Sequence, residues 1–165
     1  MRRRFCGTLP VLLTNCLIAG NGEAGVRCRR ERLVGERAGL RHERWTGFLA
    51  PEEVSASFLA ADLCVLPFRD GASFLHGTFH AALVHGMPIL TTQPRVTLPE
   101  LVHGENVHLV PREDPEALAQ AIRELAAAPA LRHRLGEGAR ALSERFRWPA
   151  LAADTLKLYE AAVAG

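Results

Sequence analysis

A short run of hydroxyl, glycine and imidazole residues, within residues 70–88, has the chemistry of a phosphate-binding loop. Glycine lets backbone N–H groups approach an anion closely, serine and threonine add hydroxyl donors, and a protonated histidine adds positive charge. The candidate contacts for a diphosphate are Ser73, His76, Gly77 and Thr78. The alternative is a helix cap, in which Ser73 or Thr78 satisfies the N–H groups of a helix start and nothing else.

The elements on either side would place this run at an edge of a sheet. Two apolar segments, residues 63–66 and 89–92, are predicted to be buried strands. Between them the sequence predicts a glycine-containing loop and a short helix that ends at Gly86, before Pro88. In an α/β sheet this order points the N-terminus of the helix into the crevice at the carboxyl ends of the strands.

Other polar residues are predicted at the same edge. Arg95 follows a predicted strand and is a candidate cation, and Glu100 is either an acid near the ligand or an exposed loop acid. The turn-forming residues at this edge are Gly20, Asn21, Gly22, Asp70 and Gly71. The pair at 70–71 either shapes the loop or is simply a turn. His76 and His80 have H-x3-H spacing, but a third ligand does not follow from it, so we expect structural or surface histidines and no metal site.

Strands and helices alternate along the chain. The predicted strands are residues 11–19, 44–48, 63–66, 89–92 and 107–110; the predicted helices are 24–39, the one in residues 70–88, and those beginning near residues 51, 115, 129 and 149. The core side chains expected from the outer helices are Val54, Phe58, Leu59, Leu156, Tyr159 and Ala162. The pattern predicts an α/β fold: a Rossmann-like parallel sheet with helices on both faces and additional C-terminal helices.

The composition is that of one globular domain. Of 165 residues, 48% are apolar and 23% charged, and the net charge of +2 does not favour nucleic acid as a partner. The four cysteines contain no C-x-x-C pair, so we expect reduced thiols in a cytoplasmic protein rather than a disulfide framework. Residues 1–10 are expected to be an extension; with the apolar run that follows they imitate a signal peptide, but polar residues interrupt that run.

Several segments resemble a known family. They are LIAGNGE at 17–23, WTGFL at 45–49, EEV at 52–54, AADLCVLP at 60–67, AALVHGMPI at 81–89, PELVHGEN at 99–106 and FRW at 146–148. In this order they resemble the C-terminal, nucleotide-sugar-binding domain of retaining glycosyltransferases of the GT-B fold, family 4, also called glycosyl transferases group 1. The resemblance implies that residues 11–165 are one half of a GT-B fold.

The chain departs from the family pattern in two respects. The family carries two glutamates eight positions apart that meet the donor, and here those places hold Ser73 and Ala81. A variant branch has a basic pair where this chain has Leu75 and His76. The family's first domain, which holds the acceptor, and the opening strand with its arginine and lysine have no counterpart here. We therefore expect a fragment or a split gene product.

The resemblance implies a function that the residues alone do not. It implies transfer of a hexosyl group from a nucleoside-diphosphate sugar with retention of configuration, this chain being the donor-binding half and inactive alone. The sugar nucleotide is substrate, and no cofactor is expected. The implied partner is an N-terminal acceptor-binding domain, with peripheral membrane association through it. The alternatives are a non-catalytic interaction module and, less well supported for want of a G-x-G-x-x-G fingerprint, an epimerase-like enzyme.

Overall fold

A parallel sheet forms the centre of the protein. The structure, a computed structural model, describes residues 16–18 and 49–164. Its strands are β1 (Cys16–Ile18), β2 (Leu63–Leu66), β3 (Ile89–Thr92) and β4 (His108–Val110), which lie side by side in that order. Each neighbouring pair is parallel, and the register sets Leu17 against Cys64 and Val65 against Leu90. The predicted strands at 63–66 and 89–92 are confirmed, as is the described part of the strand predicted at 11–19.

Helices connect the strands and extend the chain beyond them. They are α1 (Pro51–Ala60), α2 (Gly77–Val84), α3 (Pro115–Ala127), α4 (Pro129–Ser143) and α5 (Trp148–Ala164), with a 3-10 turn at Glu144–Phe146. Helix α3 begins where the sequence predicts, because the Oδ1 atom of Asp114 accepts a hydrogen bond from the Ala117 N–H at 2.9 Å. Helix α2 ends as expected, before Gly86 at a φ of 63°.

The two faces of the sheet carry separate cores. Successive residues of a strand point to opposite faces. Cys64 and Leu66 therefore pack with Phe58 of α1 and Phe79 of α2, together with part of α4. The other residues of β2 pack against the apolar stripe of α3; this second core comprises Leu63, Val65, Leu90, Val110, Leu118, Ala119, Ala121, Ile122, Leu125 and Leu135. Helices thus cover both faces, and the predicted Rossmann-like α/β arrangement is confirmed.

The outer helices are the part of the fold where the predicted core was wrong. In α1 only Phe58 is buried, whereas Val54 and Leu59 are 37% and 73% exposed. In α5 the side chains expected to face inward, Leu156, Tyr159 and Ala162, are all exposed. Helix α5 follows the 3-10 turn and does not lie on the sheet. Of the predicted positions on the two helices, the described chain thus covers Phe58 of α1 and none of the three on α5.

Several expectations concern residues outside the described ranges. They are the extension at 1–10, the turn formed by Gly20, Asn21 and Gly22, the helix at 24–39 and the strand at 44–48. Among the described residues, no helix is both long enough and apolar enough to cross a lipid bilayer.

Candidate functional site

The loops that follow β2 and β3 meet at the carboxyl edge of the sheet. The hydroxyl of Thr92, the last residue of β3, donates a hydrogen bond to the Phe68 carbonyl at 2.6 Å. Its own carbonyl accepts the Ala72 N–H at 3.1 Å. These bonds attach the segment after β2 to the end of β3. They place the candidate loop, defined as residues 70–78, where parallel α/β sheets hold their ligands.

At Gly71 the two loops approach each other closely. Its φ is 89°, a conformation that side chains rarely adopt, and a Cβ atom there would lie 2.5 Å from the Gln93 carbonyl oxygen and 3.0 Å from the Arg95 nitrogen. Only glycine fits without displacing the backbone. Asp70 and Gly71 therefore form a turn that brings the candidate loop onto the segment containing Arg95.

The first two residues of α2, Gly77 and Thr78, offer backbone donors at this edge. Neither N–H group has a hydrogen-bond acceptor within the described part of the chain. Gly77 is exposed, and a Cβ built on it would meet nothing within 4 Å. The side-chain direction of Gly77 is therefore open, and both N–H groups lack an acceptor among the described residues. A helix start with open space and unused N–H groups favours an anion.

The helix-cap alternative does not describe this start. The N-cap position of α2 is His76, and no side chain caps the helix there. The Ser73 hydroxyl accepts the Leu75 N–H at 3.1 Å, a bond within the candidate loop rather than to the helix. Ser73 is half-buried and Leu75 is 93% exposed. The hydroxyl of Ser73 thus shapes the turn that precedes α2.

The histidines near the candidate loop are turned toward the protein. The His76 side chain is 12% exposed; its Nε2 atom lies 3.2 Å from the Gly71 carbonyl oxygen and 3.6 Å from Asp70 Oδ2. His80 Nε2 lies 2.7 Å from the Phe74 carbonyl oxygen. His85 bonds to the Ser55 hydroxyl of α1 at 2.8 Å. Across the described ranges, 16–18 and 49–164, no group of three or more potential ligands is placed to hold a metal ion.

The predicted charged residues differ in their surroundings. Arg95 is exposed, and none of the ion pairs between described residues involves it. Glu100 lies 3.7 Å from the Arg145 guanidinium, and its carbonyl accepts the side-chain amide of Asn106 at 2.8 Å. Of the two acids, Asp70 is the more exposed, at 67% against 27% for the Glu100 side chain. Arg95 is thus an exposed cation that forms no ion pair with a described residue.

A perturbed histidine lies away from the candidate loop. His108 on β4 contacts the His103 ring, with centroids 4.6 Å apart, and its buried Nδ1 atom has no partner among the described residues. Burial, reinforced by the nearby His103, lowers the pKa of His108, and Glu124 of α3 opposes that change. This is a local electrostatic feature of the edge of the sheet.

A shallow cavity lies at the opposite edge of the sheet. Its volume is about 380 Å³, and it sits between α4 and the turn at Gly86 and Pro88, which precedes β3. Arg132 lines it, but that guanidinium donates to the carbonyl groups of Leu125 and Ala126 at 2.6 and 2.8 Å. The cavity thus lies at the amino ends of the strands, far from the open start of α2.

Sequence reasoning named most of this edge but missed how it is held together. The sequence makes His76 a candidate phosphate contact and predicts structural or surface histidines from the spacing of His76 and His80, but it does not predict that both rings bind loop carbonyl groups. Their spacing, one helical turn, was the available signal, since it puts both rings on one side of α2. The contact of Arg145 with Glu100 joins residues far apart in the chain and had no such signal.

Comparison with known proteins identifies related sequences. The sequence model of the family described as "Glycosyl transferases group 1" matches residues 7–128. The phosphatidyl-myo-inositol mannosyltransferase of Mycobacterium leprae (strain TN) is 31% identical over 146 residues, which are 87% of this chain and 37% of that protein. The chain spans about a third of the length of the curated relatives it matches, between 28% and 37%.

Solved structures share the fold. Sucrose-phosphate synthase from Thermosynechococcus elongatus superposes with a TM-score of 0.67 at 25% identity, covering 90% of this chain and 38% of that one. HepE from Anabaena, in complex with UDP, superposes with a TM-score of 0.62 at 18% identity, covering 91% of this chain and 40% of that one. The arrangement of strands and helices is therefore that of a part of such proteins, about two fifths of each of these two chains.

Proposed function

Because the chain belongs to the glycosyl transferases group 1 family, we propose that it is the donor-binding half of a glycosyltransferase. The substrate is a nucleoside-diphosphate sugar, and the complete enzyme transfers the hexosyl group with retention of configuration. The observation that carries this proposal is the open start of α2, where two N–H groups have no acceptor among the described residues. The complex of HepE with UDP supports a nucleotide ligand for this fold.

The diphosphate contacts that we propose lie at the carboxyl edge of the sheet. The N–H groups of Gly77 and Thr78 donate to phosphate oxygens, and the dipole of α2 adds a favourable field. Arg95 supplies the cation and stabilises the leaving diphosphate as negative charge develops on it. The Ser73 hydroxyl donates a hydrogen bond to the sugar nucleotide while it accepts one from the Leu75 N–H, since a hydroxyl can do both. No side chain in this set requires a metal ion or cofactor.

The sugar and the ribose are bound without the family's paired carboxylates. Ser73 and Ala81 stand at those two places, and an alanine side chain has no hydrogen-bonding atom. Affinity in this chain therefore rests on backbone N–H groups and Arg95 rather than on carboxylate contacts to hydroxyl groups. We expect weaker binding of the sugar and ribose than of the diphosphate.

The acceptor is held by a partner domain, present elsewhere in a longer protein or on a separate chain. The chain's share of its relatives' length supports this, and so does α5, where Trp148 is 84% and Leu158 74% exposed. We propose a cytoplasmic location for the chain and peripheral membrane association through the partner domain. The exposed apolar side of α5 and the alanine at position 81 also favour a second candidate, a non-catalytic interaction module. Sugar transfer by the 165 residues alone would contradict the need for a partner domain.

Thermal denaturation with UDP and GDP tests the donor-binding proposal. A nucleotide at tenfold above its Kd raises the free energy of unfolding by about 1.4 kcal/mol, and Tm by about 3–6 °C. Gly77→Asp should abolish the shift, because a carboxylate at the helix start repels the diphosphate while leaving the helix intact.

The matched control is Ala130→Asp, which puts the same charge in the first turn of α4 at an exposed position. That variant should retain the full shift. If no nucleotide raises Tm at millimolar concentration, the donor-binding proposal is wrong and the non-catalytic module is favoured.

A further inference from the structure

Two imidazoles from the beginning of α2 reach back to the candidate loop. His76 Nε2 lies 3.2 Å from the Gly71 carbonyl oxygen, and His80 Nε2 lies 2.7 Å from the Phe74 carbonyl oxygen. A carbonyl oxygen only accepts hydrogen bonds, so each Nε2 atom carries the proton and donates it. The two donors thus stand at the N-cap and in the first turn of α2, and the two acceptors are carbonyl groups earlier in the candidate loop.

Packing fixes the orientation of both rings. The His76 ring stacks on Phe68 at a centroid distance of 4.0 Å and an angle of 15°. The His80 ring meets Phe146 edge-on, at 4.8 Å and 81°. Because the rings cannot turn freely, their N–H groups point in set directions. Asp70 Oδ2, 3.6 Å from His76 Nε2, is the charged group near that same proton.

Between Gly71 and the helix, the loop backbone has few other attachments to described residues. The Ala72 N–H bonds to Thr92 of β3, and the Phe74 ring packs on Phe146 with centroids 4.6 Å apart. The bonds around Ser73 lie within the loop and do not tie it to the rest of the domain. The two imidazoles thus link the earlier part of the candidate loop to the N-cap and first turn of α2, where the Gly77 and Thr78 N–H groups lie.

We propose that His76 and His80 are positioning residues of the donor loop. Their Nε2–H groups hold Gly71 and Phe74, so that Ser73 and the start of α2 keep the spacing a diphosphate needs before it binds. This inference rests on the proposed function. It replaces the idea that His76 meets the phosphate directly, since its ring is buried against Phe68. A loop ordered in advance loses less conformational freedom on binding, which raises affinity.

Calorimetric titration of the complete 165-residue chain with UDP and GDP tests this. His76→Phe keeps a ring that can stack on Phe68 but lacks the donor, and should weaken binding about tenfold. His76→Gln keeps an amide donor near the Nε2 position and should restore most of the affinity. His80→Phe and His80→Gln make the same comparison at the second histidine, whose Nε2–H donates to the Phe74 carbonyl. His133→Phe, at an exposed histidine of α4, is the matched control and should bind like the wild type.

Hydrogen exchange of the nucleotide-free protein gives a reading independent of ligand. Amides 72–75 should exchange faster in both phenylalanine variants, while those of β2 and β3 keep the wild-type rate. Unchanged exchange at 72–75 in both variants would overturn the proposal. If the variant at position 76 does not fold, the pair at position 80 decides.

The binding results separate this proposal from the one it rests on. Wild-type protein that binds neither UDP nor GDP would refute the proposed function and the positioning role together. Tight nucleotide binding by both phenylalanine variants would refute the positioning role alone. Equal loss in His76→Phe and His76→Gln would point to a direct contact of the imidazole with the ligand, which also overturns the positioning role.

Discussion

Helices α2 and α5 are both rich in apolar side chains, yet their surroundings are opposite. In α2, Phe79 and Leu83 are fully buried in a core that includes Ile89 of the sheet and Ala139 of α4. In α5, Leu156 and Tyr159 are 58% and 68% exposed. A helical apolar pattern thus predicts that a face needs a cover, but not whether this chain supplies it. The cover for α2 is within the described chain, whereas the described chain leaves the apolar side chains of α5 exposed.

The largest effect should come from removing the main anchor of α2. Phe79→Ala leaves a cavity between the helix and the sheet and should lower the free energy of unfolding by about 3–5 kcal/mol. Tyr159→Ala, an aromatic truncation on α5, should change it by no more than about 0.5 kcal/mol. Urea denaturation followed by circular dichroism measures both. A similar loss in the two variants would mean that α5 is covered in solution after all.

An intermediate effect is expected in the loop that leads into α2. Gly71→Ala puts a Cβ atom within 2.5 Å of the Gln93 carbonyl oxygen at a φ of 89°, and should cost about 1–3 kcal/mol of stability. Gly77→Ala meets open space and should be neutral or slightly stabilising. The same denaturation measurement compares them. Equal destabilisation would show that Gly77 is also required by the fold, which would weaken its assignment to a ligand.

The smallest effect concerns the pH dependence of stability that arises from His108, a half-buried histidine. Because burial lowers the pKa of His108 in the folded protein, the unfolded chain takes up a proton first as pH falls. Stability should therefore decrease as pH falls below the usual histidine pKa of about 6.5. His108→Gln should reduce the slope of Tm against pH between 7.5 and 5.5.

Local patterns predicted the interior of the sheet well. The runs LCVL and ILTT are short, apolar and bounded by proline or polar residues, and both are strands at the predicted positions. The Asp114-Pro115 pair predicted the start of α3 because a cap and a fixed φ act within one turn. These features depend on neighbours in the chain, and a sequence displays neighbours directly.

Features that depend on distant partners were not predictable in the same way. The sequence shows that His76 stands in a glycine-containing loop. It does not show that the ring turns inward, because that orientation depends on stacking with Phe68. Glu100 is held by Arg145 through the fold rather than through the local sequence. The open start of α2 was predicted in position, but the absence of a side-chain cap there became visible only in three dimensions.

Cys64 lies at the middle of the sheet and has no exposed surface. A thiol in this position can react with a reagent only after β2 has separated from its neighbours, because reaction requires access to the sulfur atom. The rate of Cys64 labelling therefore reports how often the centre of the domain opens. With the other cysteines of the chain replaced, a nucleotide that binds at the carboxyl edge should slow that labelling, although it touches neither the sulfur nor the strand that carries it.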